Sequence, residues 1–226
     1  MNRKAVYFLL FMVPALAIVL ALLGLETLST NLLGWFLFLT GIVYAAGVVI
    51  VAYIRRETFW EAKIPGDITQ AEQSDRSFWM ITLAMMSVFY LSPLEYIYFA
   101  AQLPHCVWME YWGAGLLVFG ITLFIWARRT LGANYSGHLS VKEGQQLVQS
   151  GPYRVIRHPA YAGYLLMALG IALGYSSLVG IASTLFALLP CMIYRIHIED
   201  RLLAEHFGKQ FDQYCRKTQR LIPGIW

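Results

Sequence analysis

The sequence predicts an all-α, multi-pass transmembrane helical protein, and three observations carry that expectation. First, 58% of its 226 residues are hydrophobic and only 13% are charged, against about 25% charged in soluble domains. So little charge cannot cover a water-facing surface. Second, apolar stretches of bilayer-spanning length, about 20 residues each, recur along the chain. Third, lysine and arginine are absent from alternate connections. Aromatic residues make up 15% of the chain and there are only 3 cysteines, which excludes disordered, collagen-like and disulfide-scaffold proteins.

Ala5–Leu25 is the first expected span. Arg3-Lys4 before it and Ala15-Leu16-Ala17 within it look like parts of a secretion signal. Its apolar run exceeds the roughly 7–15 residues of a signal core, so a retained anchor is expected. Leu32–Ile54 is the second span, and Phe78–Ala101 the third, bent or ended early by Pro93. Trp112–Ala127 is the fourth. Tyr161–Tyr175 and Val179–Ile196, divided by Ser176-Ser177, are short for separate spans. They read as a tight helical hairpin whose second arm is kinked by Pro190. The total is about six crossings, or about five if the hairpin does not traverse fully.

Charge placement orients the chain. The loops Gly24–Asn31, Gln102–Tyr111 and Tyr175–Leu178 hold no lysine or arginine, and all 17 basic residues fall on the other side or at its membrane edge. Such residues stay cytoplasmic, so both termini and the two long polar segments are expected in the cytosol. The net charge of +4 is then a topological signal, aided by anionic lipid, and not a nucleic-acid footprint. Cys106, Cys191 and Cys215 have no paired or metal-like spacing, and no Cys-a-a-X box ends the sequence. Metal, phosphate-loop and serine-hydrolase motifs are likewise missing, and the 5 histidines are scattered.

Polar residues crowd into two segments, Arg128–Tyr161 and Arg195–Arg220. In the first, Gly151-Pro152-Tyr153-Arg154 signals a turn, and Arg157-His158-Pro159 opens a helix near Tyr161. Free N–H groups at that helix mouth favour an anion, and His158 can give or take a proton. An interfacial belt of aromatic and basic residues accounts for the same composition. In the second segment, Arg195 and Glu199 share a helical face, with Asp200 adjacent. They read either as an ion pair closing the last helix, or as one group facing a cationic ligand and another holding an anionic one. The tail Phe207–Tyr214 has the pattern of a short amphipathic helix lying on the membrane surface. Glu95 is expected to be satisfied near the outer interface, His105 to be inert and His206 to be a surface residue. Gly170 and Gly174 are expected to aid helix packing.

Together these motifs resemble the isoprenylcysteine carboxyl methyltransferase and phospholipid methyltransferase superfamily. The likeness runs from about Asn134 to Pro223: Leu147-Val148, Ser150-Gly151-Pro152-Tyr153, Arg157-His158-Pro159-Ala160-Tyr161-Ala162-Gly163, Arg195, Glu199-Asp200, Leu203, Phe207-Gly208, Phe211, Tyr214, Arg220 and Pro223. The family often has histidine in place of Gln145 and a second glutamate in place of Asp200. The resemblance implies N-terminal transmembrane helices over 1–127 and a cofactor-binding region over 128–226. The implied cofactor is S-adenosyl-L-methionine, contacted by His138, Gln145, Gln146, Leu147, Val148, Tyr153, His158, Pro159, Ala160, Tyr161 and Glu199. Arg195 would position the substrate, so that Arg195 and Glu199 are the candidate catalytic pair.

The residue types suit that chemistry. Aromatic faces and a carboxylate stabilise a sulfonium, and a carboxylate acceptor, already ionised at neutral pH, needs only a cation to orient it. An amine or thiol acceptor would instead require His158, Glu199 or Asp200 as a base. The leading expectation is methylation of the carboxylate of isoprenylcysteine or a similar lipidic acceptor, at a cytosol-facing site in a bacterial inner membrane or the endoplasmic reticulum. The expected partners are the bilayer and a membrane lipid or prenylated substrate, with no nucleic acid. The alternatives are phospholipid-amine N-methylation, thiol S-methylation, a sterol-reductase-like membrane reductase and a non-enzymatic membrane scaffold.

Overall fold

The computed structural model describes residues 24–36, 39, 76–99, 106–134 and 146–226. Most of the first expected span and of the second, together with His105, His138 and Gln145, lie outside these residues. Among the described residues the chain is helical: α1 (Leu25–Ser29), α2 (Arg76–Phe99), α3 (Val107–Leu131), α4 (Pro159–Gly174), α5 (Leu178–Phe207) and α6 (Lys209–Cys215). Three of them, Ser77–Phe99 within α2, Val107–Leu131 and Leu178–Phe207, are long and apolar enough to cross a bilayer. This is an all-α membrane protein.

Glycine holds the centre together. A Cβ built on Gly113 of α3 would lie 2.5 Å from the Gly174 Cα of α4, and one on Gly170 would lie 2.7 Å from the Gly113 carbonyl oxygen. Gly120 and Gly163 meet in the same way near the other end, each 2.7–2.8 Å from the other's carbonyl oxygen. The two helices therefore run antiparallel with their backbones touching. Close approach through small residues is how helices gain packing contacts in lipid, where burial from water offers little. Gly170 and Gly174 do what the sequence suggested. Val88, Leu117, Ala168, Ile171, Ala172, Leu188 and Met192 form the apolar core around this seam.

Two expectations about helix length need correction. Pro93 does not end its helix: α2 continues through it to Phe99. Its fixed φ suits a helix, and membrane helices tolerate the loss of the one backbone hydrogen bond it removes. The second arm of the terminal hairpin is not short either, because α5 runs 30 residues, well past Ile196 into the charged segment. Just before Pro190 it widens into a π turn over Thr184–Leu188, where the Leu189 N–H reaches back to the Thr184 oxygen. A π turn relieves the clash of the proline ring with the preceding turn.

The end of the bundle near Ser177 is pinned by polar contacts. Ser177 caps α5 by accepting from the Gly180 N–H, and Glu95 of α2 accepts from the Ser177 hydroxyl and, at 3.0 Å, from the Val179 N–H. Glu95 is thus satisfied, as expected. The Asn31 amide donates to the Gly174 oxygen at 2.9 Å, and Glu110 accepts from the Leu32 N–H at 2.8 Å.

At the opposite end the tail departs from its reading as a surface helix. Gly208, at φ +51°, breaks the chain between α5 and α6. Phe211 and Tyr214 are buried against the protein, and the Tyr214 hydroxyl donates to the Tyr153 carbonyl at 2.8 Å. Amphipathic pattern alone does not distinguish a face turned to lipid from one turned to protein. Here the protein takes it.

Candidate functional site

The site is assembled where the two polar segments meet. Gly151–Arg154 forms a 3₁₀ turn with Gly151 at φ +58°, where only glycine is at ease and where a Cβ would meet Thr130 at 2.9 Å. After it, 155–158 runs beside the C-terminal stretch. The Arg157 N–H donates to the Gln219 oxygen at 2.8 Å and the Gln219 N–H to the Val155 oxygen at 3.3 Å, a parallel bridge of Ile156 with Gln219, and the His158 N–H donates to the Arg220 oxygen at 3.0 Å. His158 then becomes the N-cap of α4, with Pro159 as its first residue. This fixes His158 and Tyr161 on one side and brings the tail over them.

From α5, Arg195, Glu199 and Asp200 face the same place. The Tyr161 hydroxyl is the link. It accepts from Arg195 Nε at 2.7 Å and donates to Glu199 Oε2 at 2.9 Å. Arg195 Nη1 donates to Ser77 Oγ at 2.8 Å. His158 Nδ1 lies 4.0 Å from Glu199 Oε2, and its ring centroid is 5.7 Å from that of Tyr161. The simple Arg195–Glu199 pair considered from sequence is thus replaced by a pair bridged through a phenol. The side chain of Glu199 is 36% exposed while that of His158 is buried, so an open carboxylate edge lies beside aromatic surface.

Asp200 behaves differently from its neighbour. Its carboxylate, 11% exposed, meets His158 Nε2 at 2.9 Å, Arg220 Nε at 2.9 Å and Arg157 Nε at 3.8 Å. A buried carboxylate is tolerable only when so compensated. Arg157 also donates to the Thr218 carbonyl and, at 3.4 Å, to that of Cys215, while Arg220 lies over the Trp226 ring at 5.5 Å. Asp200 is the hub that ties α5, the start of α4 and the tail together. Burial pushes up both the Tyr214 phenol and the Cys215 thiol. Tyr214 therefore stays a donor, and Cys215 stays a thiol with little nucleophilic character.

Of the residues singled out from sequence, Arg195, Glu199, Tyr161, His158 and Pro159 converge here. Tyr153 is buried one turn earlier, and Ala160 lies on the first turn of α4. Gln146, Leu147 and Val148 form an irregular segment approaching the 3₁₀ turn, with the Gln146 N–H on Asn134 Oδ1 at 3.3 Å. His206 is exposed. Sequence reasoning missed Ser77 altogether, since it lies 118 residues from Arg195 and no local pattern marks it. It noted Arg157 and Arg220 only as members of a motif, without their shared partner. Adjacent opposite charges on segments already suspected of meeting were the available signal.

Comparison with known proteins finds likenesses that include these segments. Residues 108–210 match the family model for phospholipid methyltransferase. The chain is 27% identical over 142 residues to the protein-S-isoprenylcysteine O-methyltransferase B of Arabidopsis thaliana, covering 60% of this chain and 71% of that one. It is 29% identical over 178 residues to the uncharacterized protein YpbQ of Bacillus subtilis, covering 77% of this chain and 99% of that one. Its matched stretch spans about two thirds of the length of the curated plant relatives. In fold it resembles the solved eukaryotic intramembrane Ras methyltransferase, an isoprenylcysteine carboxyl methyltransferase, with a TM-score of 0.58 at 20% identity over 96% of this chain and 74% of that chain.

Proposed function

We propose that the chain is a member of the isoprenylcysteine carboxyl methyltransferase and phospholipid methyltransferase superfamily, and that it methylates the carboxylate of an isoprenylcysteine or similar lipidic acceptor. The observation that carries the reading is the Arg195–Tyr161–Glu199 string, which puts a cation for an anionic acceptor and an acid for a cationic donor on one phenol. When bound, S-adenosyl-L-methionine supplies an electrophilic methyl group on a sulfonium. The residues present fit such a group, since the open edge of Glu199 lies beside the His158 and Tyr161 rings.

The remaining work is binding and alignment. Glu199 and the aromatic faces hold positive charge, and the family resemblance makes Gln145–Val148, Tyr153, Pro159-Ala160-Tyr161 and His138 the further proposed cofactor contacts. Arg195 orients the acceptor carboxylate, which is already ionised and gives up no proton. Methyl transfer is an in-line displacement, so rate comes from fixing the two partners and excluding water. Asp200, which meets His158 and Arg220 at hydrogen-bond distance and lies 3.8 Å from Arg157, holds His158 in place, and a carboxylate acceptor asks no base of it.

The cofactor region falls within 128–226, with residues 1–127 supplying membrane helices. About six crossings and cytosolic termini follow from the distribution of lysine and arginine. The site then faces the cytosol, where the cofactor is found, and a lipid-borne acceptor arrives through the bilayer.

The test is transfer of radiolabelled methyl from S-adenosyl-L-methionine by the detergent-purified chain to prenylcysteine, phosphatidylethanolamine and small-thiol acceptors. Label is expected in a base-labile ester on prenylcysteine. Label confined to the amine or thiol would overturn the acceptor assignment, and no label in any arm together with no binding of S-adenosylhomocysteine would overturn the enzyme class.

A further inference from the structure

We infer that Ser77, on the first turn of α2, is a positioning residue for the acceptor subsite: its hydroxyl fixes the Arg195 guanidinium in the plane that an anionic acceptor group meets. The inference rests on the role given to Arg195 above and adds a residue that neither the motif nor the family match includes, since that match begins at residue 108.

The geometry is specific. Ser77 is 3% exposed and Arg195 4%, so their contact is sheltered from competing water. Arg195 Nη1 donates to Ser77 Oγ at 2.8 Å, while Nε donates to the Tyr161 hydroxyl at 2.7 Å. A guanidinium is a rigid planar fork, and bonds at two of its nitrogens from two directions determine its plane. Those bonds come from α2 and α4, and the arginine comes from α5. Three helices thus converge on one cation.

The two anchors are not equivalent. The Tyr161 hydroxyl also serves Glu199, so any change there disturbs both proposed subsites at once. Among the described residues, Ser77 connects to Glu199 through Arg195 and Tyr161. Loss of its hydroxyl should therefore fall on the acceptor and spare the cofactor, a separation that general damage to the fold would not give.

The experiment uses the full chain in detergent, saturated with S-adenosylhomocysteine and titrated by calorimetry with a prenylated N-acetylcysteine and with its methyl ester. The wild type is expected to prefer the free acid. Ser77→Ala should cut that preference about tenfold, the scale of one hydrogen bond to a charged group, with affinity for S-adenosylhomocysteine unchanged. Ser77→Thr, which keeps the hydroxyl, should recover most of the preference. Wild-type discrimination retained in Ser77→Ala, or lost there in step with S-adenosylhomocysteine affinity, would overturn the role of Ser77 and leave the acceptor reading standing. A wild type that does not distinguish acid from ester would remove the acceptor reading itself, and the role of Ser77 with it.

Discussion

Neighbouring carboxylates on α5 have opposite surroundings, and substitution should separate the roles proposed for them. Glu199 is half-open and makes one hydrogen bond, from Tyr161. Glu199→Gln keeps its shape but removes its charge, so affinity for S-adenosylhomocysteine should fall about 10–100-fold, the range of a hydrogen bond to a charged group, while thermal unfolding moves little. A variant that binds normally in calorimetry would show that the carboxylate is not the cationic contact. Asp200 instead compensates Arg157, Arg220 and His158. Asp200→Asn leaves buried cations uncompensated, at a cost of about 3–5 kcal/mol, and should lower the midpoint of thermal unfolding sharply even without cofactor. An unchanged midpoint would refute its role as hub. From sequence the two acids were one feature, because spacing puts both at the same membrane edge. What separates them is the tail: Arg220 is 20 residues from Asp200, and only the folding-back of that segment decides which acid it meets.

At the scale of elements, the α3–α4 seam makes a prediction with an internal control. Gly113, Gly120, Gly163 and Gly170 each have backbone atoms within 2.8 Å of the position a Cβ would take, whereas Gly115, also on α3, has nothing within 4 Å. Gly120→Ala and Gly170→Ala must push the helices apart, and overpacking of this kind costs about 1–3 kcal/mol. Gly115→Ala meets no neighbour and trades a poor helix former for the best one, so it should be neutral or stabilising by up to about 1 kcal/mol. Thermal melts of the three variants in one detergent check the order, and equal losses would mean that the seam is not close-packed. The seam was partly legible in sequence, since Gly170 and Gly174 have the spacing of a small-residue motif. Their partners on α3 were not, because Gly113 and Gly120 look like any glycines in an apolar run. The length of α5 was misjudged for a related reason. Apolarity stops at Arg195, but helical hydrogen bonding does not, and tertiary partners for Arg195 and Asp200 let the helix continue to Phe207.

For the molecule as a whole, the distance between the two ends decides how the site meets the cell. α3 begins after Cys106 and ends beside the site, where Trp126 and Thr130 border Gly151. Its 25 residues rise about 37 Å at 1.5 Å each, more than the roughly 30 Å of hydrocarbon in a bilayer. A helix of that length crossing the bilayer has Cys106 and the site at opposite membrane surfaces, and the topology proposed above, with the site in the cytosol, then predicts an outward-facing Cys106. Cys106 is exposed and gives a direct readout. In a Cys191→Ser, Cys215→Ser background, a membrane-impermeant maleimide should label Cys106 on intact cells. With Cys106 also replaced by serine, Lys209→Cys, at an exposed position on α6, should be labelled only after permeabilisation. An engineered site is the better cytosolic reporter than native Cys215, whose thiol is pushed up by burial. A raised value means less thiolate at neutral pH, so labelling there should be slow and should quicken as pH rises. The reverse pattern, with Lys209→Cys labelled on intact cells and Cys106 protected, would invert the molecule and take the site away from the compartment that holds the proposed cofactor.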